Sequence, residues 1–190
     1  MGALHLTLAS ASPRRRDLLA RLGVTPDAVE PADIDETPLS AERPRDYALR
    51  MGEEKARAVD ASGFVLAGDT VVAAGRRILP KTEQAEEARQ CLELLSGRRH
   101  TVLSSVVLRA PDGSTKARLS ENIVRFKSLS GEEIEAYLAG DEWRGKAGGY
   151  AIQGSAEALI QWMRGSHSSV MGLPLYETRA LLKSSGFPLA

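Results

Sequence analysis

Two long β-prone segments flank one tight turn in the middle of the chain, and this pair constrains the fold more than any other feature. The segments are residues 101–109 and 116–126, and a Pro-Asp-Gly-Ser sequence at residues 111–114 separates them. Because Pro, Asp and Gly favour tight turns, the spacing predicts an antiparallel hairpin. The rest of the chain alternates helix and strand patterns, as α/β proteins do. Together these signals predict a mixed α/β sheet, twisted and flanked by helices, instead of a purely parallel one.

Shorter patterns predict the remaining elements. Serine followed by proline is typical of a helix start, as at Ser12 and Pro13, and Ser130 with Glu133 forms a capping box. Helices are predicted from Pro13 to Leu22, from Arg45 to Ala61, from a cap at Thr82 to Leu95, from Ser130 to Leu138, and in a last helix that ends near Ser185. Strands are predicted at residues 4–9, 64–67, 71–74 and 159–163.

The balance of charge limits what the chain as a whole can attract. Its 190 residues include 25 Lys plus Arg and 25 Asp plus Glu, which gives no electrostatic reason to bind nucleic acid or a membrane surface. No apolar run approaches the roughly 18 residues of a membrane span. The single cysteine, Cys91, excludes an internal disulfide, fits a reducing compartment and is expected in the core. We therefore expect a cytoplasmic protein of one domain, or of two small lobes, in which any anion site is local.

One local site is indicated by the sequence SASPRRRDLL, which begins at Ser10. Three consecutive arginines, Arg14 to Arg16, fall in the first turn of the predicted helix. The positive end of a helix dipole disfavours cations and favours anions there. Two interpretations follow: the arginines form a solvated cluster, or an anion binds beside them.

Polar residues at the ends of other apolar runs favour an anion site. Asp69 and Thr70 follow the run at residues 64–67, and Lys81 follows Ile78 and Leu79. Since ligands of α/β sheets bind beyond the carboxyl ends of strands, these side chains are expected to share one cleft with those after the first strand. Phosphate groups would suit the cations and helix amides available there. The phosphate-binding candidates are Ser10, Ser12, Arg14, Arg15, Lys55 and Lys81.

Carboxylates close to such a site add a second requirement. Asp35, Glu36 and Asp69 would repel phosphates unless a hard divalent cation lay between them. A triphosphate with Mg²⁺, attacked by water, accounts for both signs of charge.

Two other patterns resemble functional motifs but give little support for a site. Residues 140–146 match the spacing of a phosphate-binding P-loop, but a predicted helix precedes them and Ala147 follows the lysine where Ser or Thr should stand. The three histidines, His5, His100 and His167, are too scattered for a zinc site or a hydrolase triad.

Seven segments resemble the Maf family of nucleotide pyrophosphatases in order and spacing, over nearly the whole chain. They are SASPRRRDLLARLG, EEKARA, AGDTVV, LPK, LSGRRHTV, KAGGYAIQG and VMGLPLYET. The resemblance implies one Maf-like domain over residues 1–190, with a cleft between two lobes, in a cytoplasmic enzyme that is often a homodimer. It implies hydrolysis of a nucleoside triphosphate between its α and β phosphates, which releases the monophosphate and pyrophosphate. The implied cofactor is a divalent cation, Mg²⁺ or Mn²⁺.

The same resemblance implies roles for single residues. Asp69 of the GDT motif is expected to accept a proton from the attacking water or to act at the metal, with Glu36 as the second metal carboxylate. Lys55 and Lys81 are expected at the phosphates, alongside Ser10 and Arg15.

Three further positions separate the branches of the family. Arg14, Thr70 and Gln153 match the branch that acts on dTTP and UTP. The branch that prefers 7-methyl-GTP typically has glutamine after the aspartate and glutamate at the position of Gln153. A glutamine amide both donates and accepts, which suits the uracil edge, whereas a carboxylate suits the donor edge of guanine. Two alternatives stay open: a 7-methyl-GTP pyrophosphatase, and a nucleotide-binding regulator of septum formation with little catalysis.

Overall fold

The predicted hairpin lies in the middle of a seven-stranded sheet in the computed structural model, which describes residues 4–189. The strands are β1 (Leu6–Leu8), β2 (Ala28–Val29), β3 (Phe64–Ala74), β4 (Arg77–Leu79), β5 (Lys81–Thr82), β6 (Arg99–Arg109), β7 (Thr115–Phe126), β8 (Lys146–Ala147) and β9 (Ile160–Arg164). The α-helices are α1 (Pro13–Ala20), α2 (Pro44–Ala58), α3 (Ala85–Leu95), α4 (Gly131–Leu138), α5 (His167–Met171) and α6 (Leu175–Ser184), and Ser155–Leu159 is a short 3₁₀ helix.

The order of strands in this sheet is β2-β1-β3-β6-β7-β9, with β4 also beside β3. Strand β1 pairs parallel with β2 and β3. The other pairs, including the β6-β7 hairpin, are antiparallel. Strands β5 and β8 form a separate two-stranded sheet. The predicted mixed sheet flanked by helices is therefore confirmed.

The two edges of β3 have different neighbours, and the middle of one edge has no strand beside it within residues 4–189. One edge pairs with β6 from Val65 to Ala73. The other edge pairs with β1 at residues 64–66 and with β4 at residues 72–74. In the part of the chain that the structure describes, no strand covers this second edge between those two stretches.

The prediction of two strands at residues 64–67 and 71–74 is wrong, because β3 runs unbroken from Phe64 to Ala74. Gly68 does not turn the chain. A Cβ atom at Gly68 would lie 2.5 Å from the carbonyl oxygen of Ser105 on β6, so glycine here permits the close approach of two strands. Asp69 and Thr70 therefore lie within a strand and not after one.

Several helix boundaries also differ from the prediction. Helix α1 ends at Ala20 and helix α2 ends at Ala58, each short of its predicted end. Thr82 does not cap α3, because Gln84 and Glu87 form the capping box and Thr82 is fully buried in β5. The predicted last helix consists of two, α5 and α6, and the chain between them passes through Gly172, whose φ of 130° is incompatible with a continuous helix.

Helices cover both faces of the sheet. Phe64 and Leu66 of β3 pack against α1 and α6, and the alternate residues Val65, Ala67 and Val71 lie under α2. A third cluster brings α3 and α4 together with the far half of the sheet and includes Val72, Cys91, Leu92, Val124, Phe126 and Trp143. Cys91 is thus a core residue, as expected, and burial raises the pKa of its thiol. None of the helices within residues 4–189 has the length and apolarity needed to cross a bilayer.

His100 on β6 is a buried polar member of this third region. Its ring stacks on Phe126 with centroids 5.6 Å apart, and its Nε2 lies 2.7 Å from the hydroxyl of Tyr150. Burial disfavours the charged imidazolium and lowers the pKa of His100 to about 4.

This burial predicts a specific loss of stability in mild acid. The unfolded chain protonates His100 near pH 6.5, before the folded chain does, so the free energy of unfolding should fall between about pH 6.5 and pH 4. The loss from this group should approach about 3 kcal/mol at the lower limit, because each pKa unit is worth about 1.4 kcal/mol.

Urea unfolding at pH 7.5, 5.5 and 4.5 measures the effect. His100→Gln should flatten the slope in this window. The matched control is His5→Gln, which changes an exposed histidine and should keep the slope. An equal slope in wild type and His100→Gln would contradict the assignment.

Candidate active site

A cleft of about 420 Å³ opens at the uncovered edge of β3. The chain after β1 and the start of α1 line one side, and the two-stranded sheet with the segment after β8 lines the other. Its lining includes ten residues that the sequence predicts at the site: Ser10, Ser12, Arg14, Arg15, Glu36, Lys55, Asp69, Thr70, Lys81 and Gln153. Asp35 does not, since its exposed carboxylate accepts a hydrogen bond from the backbone of Thr37 (2.9 Å).

Asp69 and Thr70 reach this cleft from opposite faces of β3. Successive side chains of a strand alternate between faces, so Asp69 lies on the side of α2 and Thr70 on the side of α1 and α5. The expectation that both follow a strand end is therefore incorrect. They are accessible because the edge between β1 and β4 is uncovered.

On the α2 side, Lys55 lies between two carboxylates. Its Nζ is 2.8 Å from Oδ1 of Asp69 and 2.8 Å from Oε1 of Glu36. Lys81 pairs with the other oxygen of Glu36. Lys55 and Asp69 are only 6% and 3% exposed, and such burial of charges requires that they be paired.

These contacts determine the ionisation of Glu36. Burial alone would raise its pKa, but hydrogen bonds and charges from Lys55 and Lys81 outweigh burial and lower the pKa of Glu36 to about 2. Glu36 is therefore a carboxylate at neutral pH.

Helix α2 also positions the loop that carries Glu36. The hydroxyl of Tyr47 donates to the carbonyl oxygen of Glu36 (2.7 Å), and Arg50 donates to that of Thr37 (3.2 Å). Arg50 binds both carboxylate oxygens of Glu42 at 2.7 Å. The roles of Tyr47 and Arg50 are not predicted from the sequence. Their helical spacing indicates only a shared face, because their partners lie in a loop outside the helix.

On the opposite side, Arg15 is held by neutral groups. Its Nη1 donates to Ser10 Oγ (2.9 Å), its Nε to the carbonyl of Gly172 (2.8 Å), and its Nη2 lies 3.4 Å from Oγ1 of Thr70. Within residues 4–189, the side chain of Arg14 makes one hydrogen bond, to the carbonyl oxygen of Met171 (3.4 Å), whereas Arg16 is exposed outside the cleft.

These two arginines lack a counter-ion. Within residues 4–189, neither Arg14 nor Arg15 has a carboxylate oxygen within 4 Å. Burial lowers the pKa of both guanidinium groups, although arginine keeps its charge in proteins. Helix α1 adds the amide of Arg14, since Pro13 has no N–H, the amide of Arg15 donates to the carbonyl of Ser12 (3.2 Å), and Ser12 makes no side-chain capping hydrogen bond. This side of the cleft is therefore suited to an anion.

Lys146 is a further cation of the cleft, which the sequence did not predict at the site. It lies in β8, lines the cleft half-buried, and donates to the carbonyl of Arg144 (2.9 Å). Burial lowers the pKa of Lys146, and the charge of Arg14 lowers it further. Residues 140–146 run from α4 through a turn into β8, so the strand-loop-helix context of a P-loop is not present there.

An apolar region continues the cleft beyond these charges. Val72 and Val102 come from β3 and β6, and Ile152 and Val170 also belong to it. The glycine-rich segment after β8 lies directly on it, because a Cβ atom at Gly148, where φ is +69°, would be 2.8 Å from a methyl group of Val72. The cleft therefore has an apolar part next to a cationic one.

The carboxylate pair fits a divalent cation that binds together with a phosphate. No group of three or more His, Cys, Asp or Glu side chains in the described residues is arranged to hold a metal ion. Mg²⁺ is usually held by one or two carboxylates plus substrate phosphates and water. Glu36 and Asp69 form such a pair, and Oδ2 of Asp69 accepts no hydrogen bond from residues 4–189.

Comparison with known proteins identifies relatives over nearly the whole chain. The family model described as "Maf-like protein" matches residues 5–185. A relative from Novosphingobium aromaticivorans, named dTTP/UTP pyrophosphatase, is 64% identical over 96% of this chain and 92% of its own length.

Two further relatives carry the same name. The protein from Rhodospirillum rubrum is 59% identical over 96% of this chain and 88% of its own. The protein from Caulobacter vibrioides is 60% identical over 96% of each chain. The match of the family model and the extent of these identities show that this chain belongs to the Maf family.

Proposed function

We propose that this protein hydrolyses dTTP and UTP between the α and β phosphates, to the monophosphate and pyrophosphate, and so clears such nucleotides from the pool. One observation carries the proposal: two half-buried arginines, which have no carboxylate within 4 Å in residues 4–189, share one cleft with a lysine-bridged carboxylate pair. The name shared by the three relatives supports the choice of substrates.

The cationic part of the cleft binds the triphosphate in this proposal. Arg14 and Arg15 supply guanidinium groups, Ser10 and the amide of Arg14 donate hydrogen bonds, and Lys81 reaches the phosphates from β5. The same groups stabilise the negative charge that develops on the leaving pyrophosphate.

The carboxylates act on the water. Asp69 accepts the proton of the water that attacks the α phosphorus, because its Oδ2 is free within the cleft. Lys55 bridges Asp69 and Glu36 and so holds the two carboxylates together at the cleft. A bound Mg²⁺ or Mn²⁺, held by Glu36 and Asp69, would offset phosphate charge and lower the pKa of water.

The base lies against the apolar part of the cleft. Gln153 stands at the rim, where its amide can donate to O4 and accept from N3–H of uracil or thymine. We further propose that the protein is one domain over residues 1–190, forms a homodimer, is located in the cytoplasm and has no nucleic-acid partner. The 7-methyl-GTP and septum-regulator alternatives rank below it, since the relatives' shared name favours pyrimidine triphosphates.

The first prediction concerns the products. Phosphorus NMR of UTP or dTTP incubated with the protein and Mg²⁺ should show monophosphate and pyrophosphate in equal amounts. Orthophosphate as the first product, or no turnover of either nucleotide, would contradict the proposal.

The second prediction concerns Asp69. Asp69→Asn should lower kcat by about 10²- to 10⁴-fold, because the amide cannot accept the proton. The melting temperature should change little, since Lys55 keeps Glu36 as its partner. Asp35→Asn is the matched control, because it changes an exposed carboxylate outside the cleft, and it should retain activity. Substantial residual activity of Asp69→Asn would show that another residue is the general base.

The third prediction concerns Gln153. Gln153→Glu should lower kcat/KM for UTP by about tenfold or more, because a carboxylate cannot donate to O4. The ratio of kcat/KM for 7-methyl-GTP to that for UTP should rise. An unchanged ratio would show that Gln153 does not contact the base.

A further inference from the structure

One face of the sheet continues beyond the helix that covers it. Helix α2 packs on the face that carries Val65, Val71 and Leu103. The same face extends across the ends of β6 and β7 to β9, where its side chains are half-buried or exposed. We call this part the arginine face, and its members are Arg99 and Thr101 of β6, Ile123 and Arg125 of β7, and Trp162 and Arg164 of β9.

Strand pairing brings the three arginines of this face together. Arg125 lies directly opposite Arg99 on one side and Trp162 on the other. Arg164 lies opposite Ile123, two residues along β7 from Arg125. Directly opposite side chains of an antiparallel pair stand on the same face with their Cβ atoms about 5 Å apart. The arginine face is therefore one cluster of cations around an exposed tryptophan.

No carboxylate balances this cluster. Within residues 4–189, none of its three arginines has a carboxylate oxygen within 4 Å, and Glu121 on the same face is already paired with Arg45 of α2. The Nε of Arg125 is buried and has no hydrogen-bond partner in that range. Because like charges placed directly opposite destabilise a sheet, this arrangement favours an anionic partner.

Strand β9 adds a free edge to the arginine face. It is the last strand of the sheet on this side, and within residues 4–189 only β7 lies beside it. An uncovered edge presents unpaired N–H and C=O groups to another chain. Along β9, Trp162 and Arg164 stand on the arginine face, whereas Met163 faces the other way and packs against the core. A strand added here would place every second side chain beside the arginines.

The edge and the charge together select the class of partner. A second copy of this chain would bring two arginine clusters together, which repel. A nucleic-acid backbone offers phosphate acceptors and leaves the C=O groups of β9 unpaired, whereas a peptide strand supplies both donors and acceptors. Charges that merely protect an edge from aggregation belong on the edge strand, but Arg99 lies two strands away from it.

We propose that the free edge of β9 and the arginine face bind an extended acidic segment of a partner protein, in which acidic and apolar residues alternate. The acidic side chains pair with the arginines, the apolar ones lie on the side of Met163, and the backbone extends the sheet. The inference is independent of the proposed function, because no member of the arginine face lines the catalytic cleft.

Tryptophan fluorescence measures this binding directly. Trp162 is 40% exposed and the other tryptophan, Trp143, is 3% exposed, so a ligand on the arginine face alters mainly the signal of Trp162. The probe is a peptide of about nine residues that alternates glutamate and valine, the length of one edge strand with an overhang. It should give a saturable change that weakens as salt rises from about 50 to 300 mM. Absence of saturable binding at low salt would overturn the inference.

A second peptide separates strand addition from charge alone. It has the same composition in blocks of two glutamates and two valines, so its acidic side chains cannot all stand on one face of a strand. It should bind about tenfold more weakly, and only the alternating peptide should protect amides of β9 from hydrogen exchange. Equal binding of both peptides, or tighter binding of an oligouridylate of equal charge, would contradict the proposed partner.

Arginine variants locate the binding surface. Arg125→Gln should weaken binding of the alternating peptide by about tenfold, and its melting temperature should stay level or rise, because Arg99 loses a like charge opposite it. Arg164→Gln should also weaken binding and decides the test if Arg125→Gln does not fold.

The matched control is Arg118→Gln. Arg118 is an exposed arginine of the same strand, but it lies on the opposite face of β7. This variant should bind the alternating peptide as the wild type does. An equal loss in Arg118→Gln, or unchanged binding in both Arg125→Gln and Arg164→Gln, would overturn the inference.

Discussion

The site depends on the split edge of β3. On one edge this strand has a continuous partner, β6, which keeps it straight through Gly68. On the other edge it has two partners with a gap between them. The gap exposes consecutive residues of a buried strand, and because neighbours on a strand face opposite ways, the cleft receives Asp69 from one face and Thr70 from the other. A strand end or a surface loop would not present two faces at once.

Each face then has its own electrostatic character. On the α2 side, two carboxylates and two lysines compensate one another, and the buried charges of Lys55 and Asp69 are thereby paired. On the α1 side, Arg14 and Arg15 are held by hydroxyl and carbonyl oxygens, which orient the guanidinium groups without neutralising them. A phosphate-bearing ligand supplies the missing negative charge to the second side, and a cation that accompanies it suits the carboxylates of the first.

Local patterns predicted much of this architecture. The hairpin, the helix starts at Pro13 and Gly131 and the alternation of elements depend on residues close in sequence, and these predictions agree with the structure. The set of candidate side chains also converges on one cleft, because charge placed at a helix start carries information about what binds there.

What the patterns could not predict depends on contacts between distant residues. The continuity of β3 through Gly68 requires the carbonyl of Ser105 on another strand. The position of Glu36 depends on Tyr47, and that of the Arg15 side chain depends on the carbonyl of Gly172. None of these partners lies within a local motif, so only the tertiary structure reveals them.

The most direct test of the central claim is a crystal structure with α,β-methylene-UTP and Mn²⁺, in which anomalous scattering locates the metal. The account predicts one Mn²⁺ in contact with Asp69 and Glu36, the triphosphate against Ser10, Arg14 and Arg15, and the uracil on the apolar part of the cleft. A metal site away from Asp69, or a nucleotide bound outside this cleft, would contradict it.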